Sequence, residues 1–349
     1  MDGSKRLYYQ STERSAIERN IYSIKINGSS KANLAEEQGT HNATFTPDFK
    51  HFINTYSAEG IPTQVSLRES RKGAVLRSIK TNERAVKALE TFTFTPKEFF
   101  TLSTPTGGDL NTWMIKPVDF DENKTYPLFM FVYGGPGNQT VTNSYDAFRG
   151  MWFQMLANEL DIIVASVDNH GTDGRSEEFK KSTYGKMGKL ETLDQTEAAL
   201  ELAQRPYING DRIGVFGWSY GGYMASNCLF QSPEVFKMAV AVAPVTNWRF
   251  YDNIYTERYM GLPSENSEGY DADSPLSHVD GLKGKYLLIH GTGDDNVHVQ
   301  NSMRMVEALI QADKDFDWFA YPDKNHGIYG GNTTMHLYRM MTEFIAENL

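Results

Sequence analysis

Residues 213–225, IGVFGWSYGGYMA, decide how this chain folds. Ile213, Val215 and Phe216 form the apolar run of a short buried strand. The residues after the serine, YMASNCLFQ, have helix-forming composition and contain neither Gly nor Pro. Ser219 therefore stands where a strand gives way to a helix, inside Gly217-Trp218-Ser219-Tyr220-Gly221. Such a turn is so sharp that its flanking residues must lack a β-carbon, and the strained serine then projects its hydroxyl into a cleft. Gly-x-Ser-x-Gly in this setting is a nucleophile elbow.

On either side of this turn, from about residue 91 onward, continuous apolar strands alternate with helical stretches. YPLFMFVYGG and DIIVASVD read as buried strands, followed by the helical LETLDQTEAALELAQ. Beyond the elbow come MAVAVAP, KYLLIHG and FDWFAYP, then a closing helix around TTMHLYRMMTEFIAENL. This order predicts an α/β fold with a mostly parallel sheet covered by helices on both faces.

Residues 1–72 read differently. Strand-like LYYQST, NIYSIKI, ATFTPDFKHFINTYS and PTQVSLRES are separated by turn signals, with no long helix between them. FTPDFKHFINTY reads as strand, tight turn, strand, as in a β-propeller repeat. One blade of four strands is expected here, with no second copy, so the segment reads as the tail of a larger propeller. Residues 73–90, including TNERAVKALE, are expected to form a polar, partly helical connector to a domain spanning 91–349.

The chain has 349 residues, 40% of them hydrophobic, enough for one large core and a smaller one. A net charge of −10 argues against a nucleic-acid partner, which needs an excess of Lys and Arg. No apolar run approaches the roughly 18 residues of a membrane span, and MDGSKRLYYQ has no apolar signal-peptide core. One cysteine, Cys228, excludes intrachain disulfides and reads as a small core residue.

A serine hydroxyl becomes a nucleophile when a base takes its proton and a third group orients that base. In α/β-hydrolases the chain order is Ser, then Asp or Glu, then His. After Ser219, GTGDDNVHVQ places Asp294 and Asp295 just beyond a strand end, and DKNHGIYG places His326 beyond the next. Both lie where open parallel sheets bind ligands. Spacing alone does not separate Asp294 from Asp295. His290 reads as a packed or hydrogen-bonded core residue, His336 as a helix-surface or packing residue. His290, Asp294, Asp295 and His298 lack a recognised metal spacing, so neither metal nor cofactor is called for. For the developing oxyanion, one donor should be the backbone N–H of Tyr220. The loop FVYGGPGNQ should supply another, and Tyr133 is either that donor or a packing aromatic.

GWSYGG, VYGGP, LLIHGTGDDNVHVQ and APVTNWRFYDNIYTERYMG resemble the catalytic region of dipeptidyl peptidase IV-like enzymes of the prolyl oligopeptidase family. The resemblance covers roughly residues 90–349, and more weakly a last propeller blade. It implies an α/β-hydrolase capped by an eight-bladed propeller, cleaving dipeptides from N-termini after proline or alanine. It implies Ser219 as nucleophile, Asp294 as triad acid, His326 as base and Tyr133 as oxyanion donor. Val245, Trp248, Tyr251, Tyr255 and Val297 match the pocket for the proline ring, with Trp218 beside it. Asn296 matches the side chain that binds the carbonyl before proline. The implied partners are peptides with Pro or Ala second from the N-terminus, and a possible homodimer.

Three departures stand out. The family's pair of propeller glutamates, which holds the substrate's free amine, has no match. Glu36-Glu37 and Glu177-Glu178 read as solvated surface charge. The family's Asp-x-Arg-Gly is here DNHGTDGR, so an arginine is missing. Animal relatives staple this domain with disulfides, which this chain cannot do, pointing to a bacterial enzyme. A tripeptidyl peptidase, acylaminoacyl peptidase or esterase on the same fold stays open. A catalytically dead binding relative is disfavoured because the serine, aspartate and histidine are all present.

Overall fold

The computed structural model describes residues 5–106 and 108–349. The chain gathers into two units, Met1–Lys97 with Val141–Gln154, and Glu98–Thr140 with Met155–Leu349.

In the first unit, β1 (Arg6–Ser11), β2 (Asn20–Lys25) and β3 (Ala32–Asn33) form one antiparallel sheet. A separate four-stranded antiparallel meander follows: β4 (Thr40–Phe45), β5 (His51–Ala58), β6 (Ile61–Glu69) and β7 (Val75–Lys80). The tight turn expected in FTPDFKHFINTY is there: Phe45 pairs with Phe52 across it, and their rings sit 5.1 Å apart. Phe52 is buried with Ile21, Leu34 and Ala35 in a small core.

Two sequence expectations need correction here. The segment holds two sheets rather than one four-stranded blade, and β7 lies inside the expected connector. Every residue of β7 is exposed, so its sequence lacks the in–out alternation that marks a half-buried strand. Only α1 (Glu83–Leu89) gives that connector its helix. Glu37 is also not simply solvated. The nearly buried Arg68 clasps it with two guanidinium hydrogen bonds, at 3.2 and 2.5 Å. This pairing offsets the cost of taking the guanidinium out of water. Glu177, by contrast, is an exposed partner of Lys181.

The second unit is built on a sheet of eight strands among the described residues, in the order β15-β14-β13-β12-β10-β11-β9-β8. In chain order these are β8 (Glu98–Ser103), β9 (Asp109–Ile115), β10 (Tyr126–Val132), β11 (Ile163–Val167), β12 (Ile208–Trp218), β13 (Met238–Val242), β14 (Lys285–Gly291) and β15 (Asp317–Tyr321). Strands β10 to β15 pair in parallel, while β8 and β9 are antiparallel. Helix α2 (Phe148–Leu160) begins in the first unit's segment and ends in the second, whose other helices among the described residues are α3 (Glu177–Lys181), α4 (Lys189–Ala203), α5 (Tyr220–Gln231), α6 (Asn253–Met260), α7 (Ser267–Asp271), α8 (Gln300–Gln311) and α9 (Thr333–Asn348). Every residue of β10, β11 and β13 is buried, as a sheet covered on both faces requires. Pro127, which has no N–H to give a ladder, coincides with a register shift between β10 and β12. Helix α5 is buried from Tyr220 to Phe230, and Cys228 is fully enclosed on it. Burial pushes the Cys228 thiol far above its ordinary value, which keeps it inert. Among the described residues no helix is long and apolar enough to cross a membrane.

The strand order reverses at β10. The chain leaves β10 for β11 on one side and returns to β12 on the other, with Val132 opposite Gly217. Such a switch point opens a crevice at the strand C-termini. It sets Tyr133 and Ser219, the residues just after β10 and β12, side by side.

Candidate active site

Ser219 sits at φ +63° and ψ −120° between β12 and α5. A non-glycine residue in that region costs on the order of 1–3 kcal/mol, held here by surrounding packing. The Ser219 N–H donates to the Val242 carbonyl at 2.8 Å, and its carbonyl accepts from Tyr223 N at 3.1 Å. The glycines are steric necessities. A β-carbon on Gly217 would run into the Gly221 carbonyl, and one on Gly221 into the Val132 carbonyl. One on Gly222 would meet Pro244 at 2.9 Å.

Asp294 follows β14 and is 6% exposed, while its neighbour Asp295 is exposed. Asp294 Oδ2 accepts from His326 Nδ1 at 2.7 Å. Its Oδ1 accepts the backbone N–H groups of Asn296 and Val297, both at 2.9 Å. Burial alone would raise the Asp294 carboxyl, but hydrogen bonds from His290 and His326 outweigh it and hold the group well below the usual carboxylate range. His326 lies beyond β15, and the Trp218 indole N–H donates to its backbone carbonyl at 2.9 Å. Trp218 thus ties the histidine loop to the serine turn.

Tyr133 is mostly buried. Burial pushes its phenol up, while a hydrogen bond with the Ser219 side chain pulls the other way. Its loop leaves little room: a β-carbon on Gly135 would press on the rings of Tyr133 and Tyr220, each at 2.9 Å. As the first residue of α5, Tyr220 has a backbone N–H without a partner inside the helix.

Beside these groups stands an aromatic cluster. The Trp248 ring is 5.1 Å from that of Tyr220 and 6.0 Å from those of both Tyr251 and Tyr255. Tyr251 and Tyr255 meet edge to face at 5.4 Å. Val245 and Val297 are buried in the same core. The Tyr251 hydroxyl donates to Asn296 Oδ1 at 2.7 Å, which leaves the Asn296 amide N–H₂ to donate.

Some residues at this site were not legible as such in the sequence. His290 Nε2 lies 3.2 Å from Asp294 Oδ2, so the core histidine touches the buried acid. Glu191, fully buried on α4, accepts from the Tyr220 hydroxyl and the Gly188 N–H, both at 2.9 Å. Its place three residues after Gly188 is the one hint in the sequence, a capping-box spacing. In DNHGTDGR, His170 stands where the arginine was expected, and its Nδ1 lies 2.7 Å from Asp194 Oδ2. The exposed His336 lies 2.7 Å, through Nδ1, from the Tyr321 hydroxyl.

Residues 147–349 match the prolyl oligopeptidase family, and residues 2–63 match the dipeptidyl peptidase IV N-terminal region. The chain is 36% identical to prolyl endopeptidase FAP of Mus musculus, over 98% of its own length and 46% of that protein. It is 35% identical to a probable dipeptidyl peptidase 4 of Aspergillus flavus, over 98% and 45%. The crystal structure of Porphyromonas gingivalis dipeptidyl peptidase 4 superimposes with a TM-score of 0.97 at 43% identity, covering 100% of this chain and 49% of that one. The chain therefore spans about half the length of the relatives it matches.

Proposed function

This chain belongs to the prolyl oligopeptidase family, and from that membership we propose that it serves a dipeptidyl peptidase IV-type exopeptidase releasing N-terminal X-Pro or X-Ala dipeptides. The observation that carries the reading is the 2.7 Å bond between the buried Asp294 and His326, on a loop that Trp218, the residue before the strained Ser219, holds through its indole N–H.

In this reading His326 takes the Ser219 proton as Oγ attacks the carbonyl of the proline itself. Asp294 fixes the imidazole and stabilises its positive charge. The oxyanion is met by the Tyr220 N–H and the Tyr133 hydroxyl, two donors in place before charge develops. The tetrahedral intermediate collapses to a dipeptidyl ester on Ser219, and the shortened peptide leaves as an amine carrying the proton from His326. Water, deprotonated by the same histidine, then hydrolyses the ester. Trp248, Tyr251, Tyr255, Val245 and Val297 offer flat apolar surface to a compact pyrrolidine, which is what excludes long side chains. Asn296, with Oδ1 engaged by Tyr251, donates to the carbonyl before proline.

The test measures hydrolysis of Gly-Pro-p-nitroanilide and its N-acetylated analogue by the full-length gene product and its Ser219→Ala variant. The free amine should be strongly preferred, and the variant should lose on the order of 10⁶ in rate. A variant within about tenfold of wild type would overturn the serine mechanism. Equal rates on the two substrates would overturn the exopeptidase assignment and favour acylaminoacyl or endopeptidase cleavage.

A further inference from the structure

His290 is the last residue but one of β14, four residues before Asp294, and is fully buried. Its Nε2 lies 2.7 Å from the Val297 carbonyl and 3.2 Å from Asp294 Oδ2. Both neighbours are pure acceptors when the acid is ionised, so Nε2 must carry the hydrogen. Its Nδ1 lies 2.7 Å from Ser302 Oγ at the start of α8, and a neutral imidazole accepts there from the serine hydroxyl.

The count of donors on Asp294 then closes. Oδ1 takes the N–H groups of Asn296 and Val297, and Oδ2 takes that of His326 at 2.7 Å with His290 Nε2 at 3.2 Å, its hydrogen shared with the Val297 carbonyl. A carboxylate offers about four lone-pair sites; three take a full hydrogen bond and the fourth faces the shared His290 N–H. Rotation of the carboxylate would break several of these bonds together. Val297 enters twice, giving its N–H to Asp294 and its carbonyl to His290, and it also packs in the core beside the aromatic cluster.

We propose that His290 is a positioning residue for the reaction: its Nε2–H, fixed by Ser302 and shared between Asp294 and Val297, locks the carboxylate that orients His326 and ties it to the pocket wall. The inference rests on the reading of Asp294 and His326 as partners of Ser219. Besides His290 and His326, Tyr251 is a titratable group that interacts with Asp294. Removing the His290 donor leaves more negative charge for His326 to feel. That favours the imidazolium and moves the acid limb of the rate profile to higher pH.

The experiment uses the full-length protein. In His290→Phe, kcat should fall about tenfold to a hundredfold, the worth of one hydrogen bond to a charged group, with KM little changed. The acid limb of kcat/KM should move upward. In His290→Gln, whose amide nitrogen reaches the Nε2 position, most of kcat should return and the limb should stay at the wild-type pH. Equal losses in the two variants with an unmoved limb would reduce His290 to a packing residue and overturn the proposal. Should the Phe variant not fold, a His290→Gln loss of about tenfold or more does the same. Nitrogen NMR of histidine-labelled wild type gives a readout apart from activity. His290 should show a hydrogen on Nε2, and a bare Nε2 would refute the argument. Ser219→Ala, run alongside, separates the outcomes: if it retains activity, the serine reading fails whatever His290 does.

Discussion

Replacing Glu191 by Gln should reverse the order of stability of the two proteins between acid and alkaline pH. The Glu191 carboxyl is wholly buried, and burial, reinforced by the nearby Asp194, raises it from 4.5 to about 8. The hydrogen bonds from the backbone and Tyr220 oppose that rise without cancelling it. Because the folded value exceeds the unfolded one, the stability Glu191 contributes is complete below about pH 4.5 and drains away as the pH climbs through about 8. At roughly 1.4 kcal/mol per pH unit, the loss across that window is about 5 kcal/mol, a large part of a typical domain's total. Glutamine has the same shape and no charge to desolvate. Its amide oxygen can accept from Gly188, but its N–H₂ then faces the Tyr220 hydroxyl, which must give up its role as donor, at a cost of about 1 kcal/mol. The variant should therefore melt slightly below wild type near pH 5 and well above it near pH 8.5, a difference of several degrees. Thermal melting of both proteins at the two pH values is sufficient. Parallel pH dependence in wild type and variant would mean that Glu191 is not the buried acid described here.

Three further outcomes follow from the geometry. Tyr133→Phe should lower kcat by about 10²–10³ with a much smaller change in KM, because in the proposed mechanism the phenol serves the transition state; steady-state kinetics on Gly-Pro-p-nitroanilide decide it, and an unchanged kcat would demote Tyr133 to packing. Asp294→Asn should cost about 10⁴ in kcat, whereas Asp295→Asn at an exposed position should stay within about threefold; reversed severities would move the orienting role to Asp295. Gly221→Ala should fail to fold or melt far below wild type, since its β-carbon has only the Val132 carbonyl to enter; a variant of wild-type stability would refute the steric account of the elbow.

The hydrolase core was readable because its constraints are local and steric. Gly217, Ser219 and Gly221 announce a turn that few other residues could make, and uninterrupted apolar runs such as YPLFMFV announce strands covered on both faces. The order Ser219, Asp294, His326 could be read against the strand ends for the same reason. The choice between Asp294 and Asp295 could not, since adjacent residues share one spacing; burial against His326 separates them in space. Long-range partners were the least legible. Arg68 and Glu37 are thirty-one residues apart, and nothing in either segment marks them as a pair. Strand β7 escaped because a fully exposed edge strand needs no alternation. His290 looked like core because it is core, and only the fold shows that the same imidazole also reaches the acid.

The position of the nucleophile decides the proposed mechanism most directly. A Gly-Pro diphenyl phosphonate phosphonylates an activated serine with loss of phenol, and the adduct can be placed by mass spectrometry of the full-length protein and its peptides. One adduct is expected, on Ser219, forming far faster than with the N-acetylated phosphonate and absent from Ser219→Ala. An active, inhibited protein labelled at any other residue, or left unlabelled, would contradict it.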